Sequence, residues 1–369
     1  MAGLYIHIPF CHSKCAYCDF FSIPIRKRAD AYIDALRLEW DARHHELGTS
    51  TVNTIYIGGG TPSILSIPML EHLFAWLPTQ DVEEFTIEVN PEDVTDRLAD
   101  FLRHSPVTRV SMGVQSLVDS ELKTIGRRHT AAQAIEAAHR LRHAGIDNLS
   151  LDLIYGLPGQ TSDSWLSSVK RTLELNPQHL SAYSLMLEPG TRLWAMAQMG
   201  KFSEVPQEMS EAMYHNLCRL TARHGMKHYE ISNFAMPGFH SLHNSSYWNL
   251  TPYLGLGAAA HSFDGITRHS NPSALHTYLA DPTECFQTEH LTRTQRIDEY
   301  LMIRLRTAEG IDLSDYEARW GVDECRRLLH TAKPHIARNL LVAAQGHLYM
   351  NQDSWLLTDS VLVDLFPDE

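Results

Sequence analysis

The sequence contains no run of apolar residues that approaches the ~20 needed for a membrane-spanning helix. Residues 1–10 lack the charged stretch and apolar run of a secretion signal. Basic residues are scarce, since 31 Lys and Arg stand against 44 Asp and Glu, a net charge of −13. This balance argues against a protein built to bind nucleic-acid phosphates. We therefore expect a soluble, cytoplasmic protein with no membrane span and no nucleic-acid partner.

Cysteine is too sparse and too unevenly placed for a disulfide scaffold. Of six cysteines in 369 residues, three are scattered and three, Cys11, Cys15 and Cys18, lie within eight residues. Disulfide-rich domains spread many cysteines over a short secreted chain. A tight triplet in a reducing compartment indicates a metal site instead.

Internal repeats and low-complexity segments are also missing, so neither a solenoid nor a biased linker is expected. Apolar residues make up 44% of the chain and charged residues 20%. Such a chain can bury a substantial core, which excludes wholesale disorder. Its length suggests about two domains, or one large barrel with an appendage.

Short apolar runs alternate with helix-spaced patterns from residue 4 to about 186. The predicted strands are Leu4–Pro9, Thr54–Ile57, Phe85–Val89, Arg109–Val114, Leu149–Tyr155 and Leu180–Met186. Between them, apolar residues such as Tyr32, Leu36 and Trp40 recur at helical spacing. Strands that alternate with crossover helices predict a parallel sheet. Six such units leave a partial barrel and a doubly wound sheet both open.

The rest of the chain changes character twice. Residues 1–235 form the predicted core, 236–287 an irregular segment rich in Asn, Gly, Pro and His, and 288–369 a C-terminal domain. In the last part, helical patterns cover 294–307 and 322–341, and a hairpin is predicted from Leu340–Met350 and Asp353–Thr358. Helices followed by a hairpin predict a small, winged-helix-like α+β domain.

The cysteine triplet has the spacing Cys-x3-Cys-x2-Cys and directly follows the first predicted strand. Three thiolates in one loop can hold three corners of an iron–sulfur cube and leave the fourth iron open to another ligand. The alternative is a structural zinc site with His12 or another residue as fourth ligand, although zinc cysteines usually come as two separated pairs. The pattern favours the cluster.

This triplet resembles the signature of the radical S-adenosylmethionine (SAM) superfamily. The resemblance implies a [4Fe-4S] cluster on Cys11, Cys15 and Cys18, with SAM chelated at the open iron and cleaved there to a deoxyadenosyl radical. It also implies a partial (β/α)6 barrel, which resolves the ambiguity between the two architectures.

Further motifs follow the other predicted strands, where parallel α/β folds place their ligands. The run Gly58–Pro62 reads GGGTP and lacks the Gly-Lys-Ser/Thr ending of a phosphate-binding loop, so by itself it indicates only a tight turn. Asp152 lies within an apolar strand, where an unpaired charge is costly. The family resemblance implies that the SAM-binding residues are Tyr5, Gly59, Gly60, Thr61, Glu88, Gln115, Arg127 and Asp152.

The resemblance narrows to the oxygen-independent coproporphyrinogen III oxidase family, and it covers nearly the whole chain. That family includes a haem-chaperone branch, the HemW-type proteins. Three features favour this branch. Phe20 stands where the oxidases carry a further cysteine, only four residues precede Tyr5, and His243–Trp248 matches the branch's HNxxYW motif.

The resemblance implicates His243 in haem binding. A neutral imidazole is a suitable axial ligand for haem iron, and Tyr247 and Trp248 offer flat apolar surface for a macrocycle. His240 and His261 are alternative ligands. The basic run 26–28 is either a contact for haem propionates or a solvated helix start.

We therefore expect a haem chaperone that carries a [4Fe-4S] cluster and SAM, with an oxygen-independent coproporphyrinogen III oxidase as the alternative and a structural zinc protein as a distant third. The expected partners are haem, acceptor haemoproteins (respiratory ones are candidates) and an electron donor to the cluster. A homodimer is a further candidate. The C-terminal domain is expected to act as a lid or as a docking surface for an acceptor.

Overall fold

The structure, a computed structural model, describes residues 1–24 and 28–367. Arg26 and Lys27 of the basic run lie outside these ranges. In chain order the strands are β1 (Ala2–Ile8), β2 (Phe10–Cys11), β3 (Ile23–Pro24), β4 (Val52–Gly59), β5 (Glu84–Val89), β6 (Arg109–Gln115), β7 (Leu149–Tyr155), β8 (His179–Ser184), β9 (Lys227–Glu230), β10 (Asn233–Ala235), β11 (Tyr253–Leu256), β12 (His261–Phe263), β13 (Thr267–Ser270), β14 (Gln287–His290), β15 (Ile311–Asp312), β16 (Leu341–Ala344) and β17 (His347–Met350).

The helices are α1 (Ala29–Arg43), α2 (Ile67–Phe74), α3 (Asp96–His104), α4 (Asp119–Thr124), α5 (Ala131–His143), α6 (Ser162–Glu174), α7 (Arg192–Gln198), α8 (Gln207–Arg223), α9 (Leu242–Trp248), α10 (Leu275–Ala280), α11 (Arg293–Arg304), α12 (Leu313–Trp320), α13 (Val322–Ala337) and α14 (Thr358–Leu365). Helices α5, α6 and α11 begin with capping boxes, in which the side chain of Thr130, Thr161 or Thr292 accepts from the third helical N–H.

The six predicted strands are all present and form neighbouring parallel pairs in the order β1-β4-β5-β6-β7-β8. Their two faces differ in chemistry. Alternate residues such as Leu4, Ile6 and Ile55 join an apolar core with the covering helices. The intervening residues, Thr54 and Tyr56 among them, are polar and point to the opposite, inner face. The α/β partial barrel predicted from sequence is confirmed, and its inner face carries the polar groups.

The segment 236–287 is not irregular, contrary to the prediction. Strand β11 pairs parallel to β1, and β12 and β13 continue the same sheet in antiparallel order to β14. On the other edge, β10 and β9 follow β8 in antiparallel order. Strands β11–β14 have only three or four residues each, too few for an alternating pattern to stand out in sequence.

The C-terminal domain has its own apolar core, to which Leu301, Leu328 and Trp355 belong. Its hairpin joins β16 and β17 through a turn at Gln345 and Gly346, both with positive φ. The prediction of a strand at Asp353–Thr358 is wrong, because 352–357 is a 3-10 helix that leads into α14. The side chain of Asn351 caps this turn and Trp355 is buried in it, so this short apolar run belongs to a helical turn.

The C-terminal domain packs on the β9 edge of the large sheet and on α9. The N–H of Ile231 donates to the carbonyl oxygen of Arg306 at 2.9 Å. The Arg304 guanidinium donates to Asn249 Oδ1, directly after α9. No helix within the described ranges is both long enough and apolar enough to cross a membrane.

Candidate functional site

A cavity of about 570 Å³ lies on the inner face of the parallel strands and opens beside the cysteine loop. Ten of the twelve site residues predicted from sequence line it: Cys11, Cys15, Cys18, Gly59, Gly60, Thr61, Glu88, Gln115, Arg127 and Asp152. Most come from the loop after β1 and from the carboxyl ends of β4, β5 and β6, whereas Asp152 lies in the middle of β7 and Arg127 in the loop after α4. The other two, Tyr5 and His243, do not line the cavity.

The cysteine loop is held at both ends by short parallel strands, since Phe10 pairs with Ile23 and Cys11 with residue 24. Its middle is fixed to the barrel by the N–H of Ala16, which donates to the carbonyl oxygen of Ile125 at 2.9 Å. The carbonyl oxygen of Ala16 in turn accepts from the N–H of Leu193 at 2.7 Å. The loop therefore keeps its three thiols facing one cavity.

Burial raises the pKa of the Cys11 and Cys18 thiols, and the neighbouring Cys15 raises both further. Three close thiols that repel one another as anions are a suitable donor set for a cationic iron cluster. Within the described ranges, no three His, Cys, Asp or Glu side chains converge as they would around a single ion. His12, the fourth ligand considered for zinc, instead lies with Nε2 3.3 Å from Asp93 Oδ1.

The glycine run brings backbone against the start of the cysteine loop. A Cβ at Gly60 would lie 2.6 Å from the carbonyl oxygen of Phe10, and one at Gly59 would lie 2.6 Å from the His7 ring. Gly59 also has a φ of +106°, a conformation that favours glycine. Thr61 Oγ1 donates to the carbonyl oxygen of Gly60 and accepts from the Asn90 amide at 3.1 Å. Only glycine fits at 59 and 60 without displacing the loop.

Glu88 lies at the carboxyl end of β5, with its carboxylate oxygens held from β4. Oε1 accepts from the Tyr56 hydroxyl at 2.8 Å, and Oε2 accepts from the N–H of Gly59 at 3.2 Å. Burial, together with the nearby Asp152 carboxylate, raises the pKa of Glu88 to about 7. This carboxylate is therefore placed to accept from a ligand ammonium or hydroxyl group.

Arg127 links the cysteine loop to the ends of β5 and β6. Nη2 donates to Asn90 Oδ1 and to the carbonyl oxygen of Gly113, both at 2.7 Å. Nη1 lies 3.8 Å from Cys15 Sγ. The guanidinium therefore places a fixed positive charge beside the thiols, where it can also meet a ligand carboxylate.

Asp152 and Gln115 complete the wall on β7 and β6. The Asp152 carboxylate accepts from Ser111 Oγ at 3.1 and 3.2 Å and from Ser150 Oγ at 3.4 Å, and burial raises its pKa. Gln115 has a φ of 65°, at a bulge where the β6–β7 register shifts. This positive φ is uncommon for a residue other than glycine and is found at ligand sites.

Tyr5 lies on β1 as the register partner of Tyr56, on the inner face next to the cavity wall. Its hydroxyl is 3.0 Å from His7 Nδ1, and His7 Nε2 donates to the carbonyl oxygen of Phe21 at 2.9 Å. Its ring is 6.2 Å from that of Tyr56, which does line the cavity. Tyr5 thus supports the wall and the cysteine loop from the β1 side, through His7 and Tyr56.

His243 is fully buried on α9, near the amino ends of β1 and β4, away from the cysteine loop. Its Nδ1 lies 2.9 Å from Thr54 Oγ1 and its Nε2 lies 2.9 Å from the Tyr247 hydroxyl. The ring stacks on Tyr56 at 5.2 Å, and burial lowers its pKa to about 3. With both nitrogens hydrogen-bonded and no exposed surface, this imidazole does not fit a haem iron in the described arrangement.

The start of α9 is held by a buried carboxylate. Glu84, the first residue of β5, accepts from the N–H of Leu242 at 2.9 Å, from the N–H of His243 at 3.0 Å and from Ser241 Oγ at 3.2 Å. The alternative ligands differ from His243: His240 stacks on Tyr229, and His261 is exposed on β12. The HNxxYW motif closes the amino end of the barrel.

Two residues in the cavity were missed by sequence reasoning. Asn90 bridges Thr61 and Arg127, and Arg109 lines the cavity at the amino end of β6. Asn90 follows Glu88 directly before Pro91, a position that gives no signal of its own. Arg109 does give one, since it is a charged residue in an apolar strand, the same signal that singled out Asp152.

Comparison with known proteins agrees with this geometry. Residues 5–171 match the radical SAM superfamily, and residues 291–357 match the HemN C-terminal domain. The chain is 39% identical to the heme chaperone HemW of Lactococcus lactis, over 86% of this chain and 84% of the relative.

Two further relatives of the same name extend the match over nearly the full length. HemW of Bacillus subtilis is 35% identical over 97% of this chain and 95% of its own, and HemW of Escherichia coli is 34% identical over 97% and 94%. The solved structure of coproporphyrinogen III oxidase (HemN) from Escherichia coli, a radical SAM enzyme, superposes with a TM-score of 0.84 at 25% identity, over 99% of this chain and 90% of that one.

Proposed function

Because this chain belongs to the HemW family within the radical SAM superfamily, we propose that it is a haem chaperone, which binds haem and transfers it to acceptor haemoproteins. The proposal rests on the sequence identity of this chain, 34–35% over 97% of its length, to proteins named heme chaperone HemW. Respiratory haemoproteins are candidate acceptors, and the cytoplasm is the proposed location.

We propose that Cys11, Cys15 and Cys18 hold a [4Fe-4S] cluster. The three thiols line one cavity, as ligands of a cationic iron–sulfur core would. Arg127 places a positive charge beside Cys15, which offsets the negative charge that three thiolates bring to the site. Such a cluster supplies one-electron chemistry when bound. An electron donor to the cluster is therefore a further proposed partner.

SAM is the proposed occupant of the cavity beside the cluster. Gly59, Gly60 and Thr61 allow close approach of backbone to a ligand, Glu88 and Asp152 offer carboxylates to ammonium and hydroxyl groups, and Arg127 suits a carboxylate. Gln115 would add an amide to the same wall. Tyr5 would contribute by fixing Tyr56 and the cysteine loop from the β1 side.

His243 stays the proposed haem ligand only for an opened conformation. Both of its hydrogen bonds, to Thr54 and Tyr247, would have to break, and α9 would have to leave the strand ends. The three hydrogen bonds from the start of α9 to Glu84 oppose such an opening. Haem binding at His243 is thus expected to be coupled to movement of α9.

The test is anaerobic cluster reconstitution followed by titration with haem. We expect one haem per wild-type chain, together with iron and acid-labile sulfide. Cys11→Ala, Cys15→Ala and Cys18→Ala should each lose iron and sulfide, whereas the control Cys218→Ala, outside the cavity, should keep both. Absence of haem uptake by the reconstituted wild type would contradict the chaperone function, and zinc in place of iron and sulfide would contradict the cluster.

The second candidate function is oxygen-independent coproporphyrinogen III oxidation. It is favoured by the match to the HemN structure and by the ten predicted residues around one cavity. Turnover of coproporphyrinogen III under anaerobic, reducing conditions with SAM would support this activity. Haem uptake without such turnover would contradict it and leave the chaperone function standing.

A further inference from the structure

The cavity continues past the residues proposed to hold SAM, towards the amino ends of the strands. Arg109 and Gln115 are the first and last residues of β6, and both line it. Since alternate residues of a strand share a face, Ser111 and Gly113 lie between them on the same wall. Six residue steps along a strand span about 20 Å. Arg109 therefore marks the floor of the cavity, deep below the cysteine loop.

Arg109 is buried without a partner. The side chain is 1% exposed, and within the described ranges neither Nε nor Nη1 has a hydrogen-bond acceptor and no carboxylate forms an ion pair with the guanidinium. The Oγ1 of Thr86, its register partner on β5, is also buried without a partner. A buried charge without a partner costs several kcal/mol, and buried polar groups in proteins are nearly always satisfied. These donors point to a ligand.

The ligand group must be an anion. Glu88 and Asp152 are near enough for the Arg109 charge to act on their pKa values, but within the described ranges neither carboxylate forms an ion pair or a hydrogen bond with the guanidinium. Water could accept from the free donors of Arg109 but would not neutralise its charge. A planar guanidinium matches a carboxylate with two parallel hydrogen bonds.

We propose that Arg109 is a binding site for a ligand carboxylate at the floor of the cavity. The inference rests on the proposed function, since the propionate side chains of haem are the carboxylates that a haem chaperone would receive. SAM also carries a carboxylate, which Arg127 beside the cysteine loop is proposed to hold, and the experiment below distinguishes the two sources. The apolar side chains of Phe20 and Met186 stand exposed among the residues that line the cavity and suit an apolar macrocycle.

The experiment compares ligands with and without the carboxylate on reconstituted protein. Wild type should bind haem about 10- to 100-fold more tightly than haem dimethyl ester, the range expected for charge-assisted hydrogen bonds. Arg109→Gln should remove this difference, and Arg109→Lys should restore part of it. Arg128→Gln is the matched control, because Arg128 lines the same cavity but is exposed.

A second arm compares SAM with decarboxylated SAM on the same variants. If Arg109→Gln removes the preference for SAM and leaves the preference for haem over its ester, the carboxylate site stands with SAM as its source. If both preferences survive in Arg109→Gln, the proposal is overturned. Failure of wild type to bind haem would overturn the chaperone function, and the SAM arm would then decide the carboxylate site by itself. Iron and sulfide content and the urea midpoint verify folding of each variant.

Discussion

Replacement of His243 by alanine separates a structural role of this residue from a direct role in haem ligation. The buried imidazole contacts Thr54 and Tyr247 through its two nitrogens and stacks on Tyr56. Each of the two hydrogen bonds contributes about 1 kcal/mol to folding, and removal leaves two buried hydroxyls without partners and a cavity beside Tyr56. We expect the free energy of unfolding to fall by about 3–5 kcal/mol.

Urea unfolding of the cluster-free protein, followed by circular dichroism, measures this loss. The matched control is His139→Ala on the exposed face of α5, which should change the free energy of unfolding by less than about 0.5 kcal/mol. A loss below about 1 kcal/mol for His243→Ala would refute the reasoning. If haem uptake were then abolished all the same, ligation rather than packing would be the role of His243.

The pH dependence gives a second measure of the same residue. Burial lowers the pKa of His243 to about 3, against about 6.5 in an unfolded chain. Between these values the unfolded state binds more protons, so the contribution of His243 to stability is present above pH 6.5 and is lost as the pH falls towards 3. The stability difference between wild type and His243→Ala should therefore shrink with falling pH over this window.

Three further predictions concern the cavity and the domain contact. Glu88→Gln should raise the urea midpoint of the ligand-free protein at pH 8 but not at pH 5. The folded pKa of Glu88, about 7, lies above its unfolded value, so ionisation of the buried carboxyl group costs stability as the pH rises. The same variant should bind SAM more weakly by calorimetry, and an unchanged midpoint at pH 8 would contradict the burial argument. Gly60→Ala should lower the iron and sulfide content per chain, because the new Cβ would clash with the carbonyl oxygen of Phe10, next to Cys11. Such a clash costs about 1–3 kcal/mol. Full iron and sulfide content in the variant would show that the loop shifts without cost. Arg304→Lys should lower the thermal unfolding midpoint without loss of iron, because the Arg304 guanidinium donates to Gly310 and, across the domain contact, to Asn249. Equal midpoints for wild type and variant would show that these hydrogen bonds are dispensable for stability.

The parallel strands could be predicted from sequence because each is an apolar run long enough to stand out between helical patterns. The short strands β11–β14 could not, because three or four residues carry no recognisable period. The misplaced second hairpin arm has a different cause. Asp353–Thr358 contains the short apolar run Trp355–Leu357, but the Asn351 cap and the buried Trp355 make it a helical turn.

The residues of the candidate site that belong to sequence motifs could be predicted. Residues that only hydrogen-bond to other site residues could not. Ten motif residues come together because the carboxyl ends of parallel strands meet on one side of a sheet. Asn90, which connects Thr61 to Arg127, belongs to no motif. The surroundings of His243 could not be predicted either, because the sequence does not indicate that Thr54 contacts the imidazole.

Tyr56 connects the two ends of the barrel. Its hydroxyl donates to Glu88 at 2.8 Å, in the wall proposed for SAM, and its ring stacks on His243 at 5.2 Å, in the motif proposed for haem. Any movement of α9 that frees His243 removes the packing partner of Tyr56 and loosens the hydroxyl that orients Glu88. Haem binding and SAM binding would then both depend on the position of α9 against Tyr56. Thermodynamic linkage requires each ligand to change the affinity of the chain for the other by the same factor. The position of Tyr56 thus offers a physical reason why a chain proposed to bind haem would also keep the residues proposed to hold SAM.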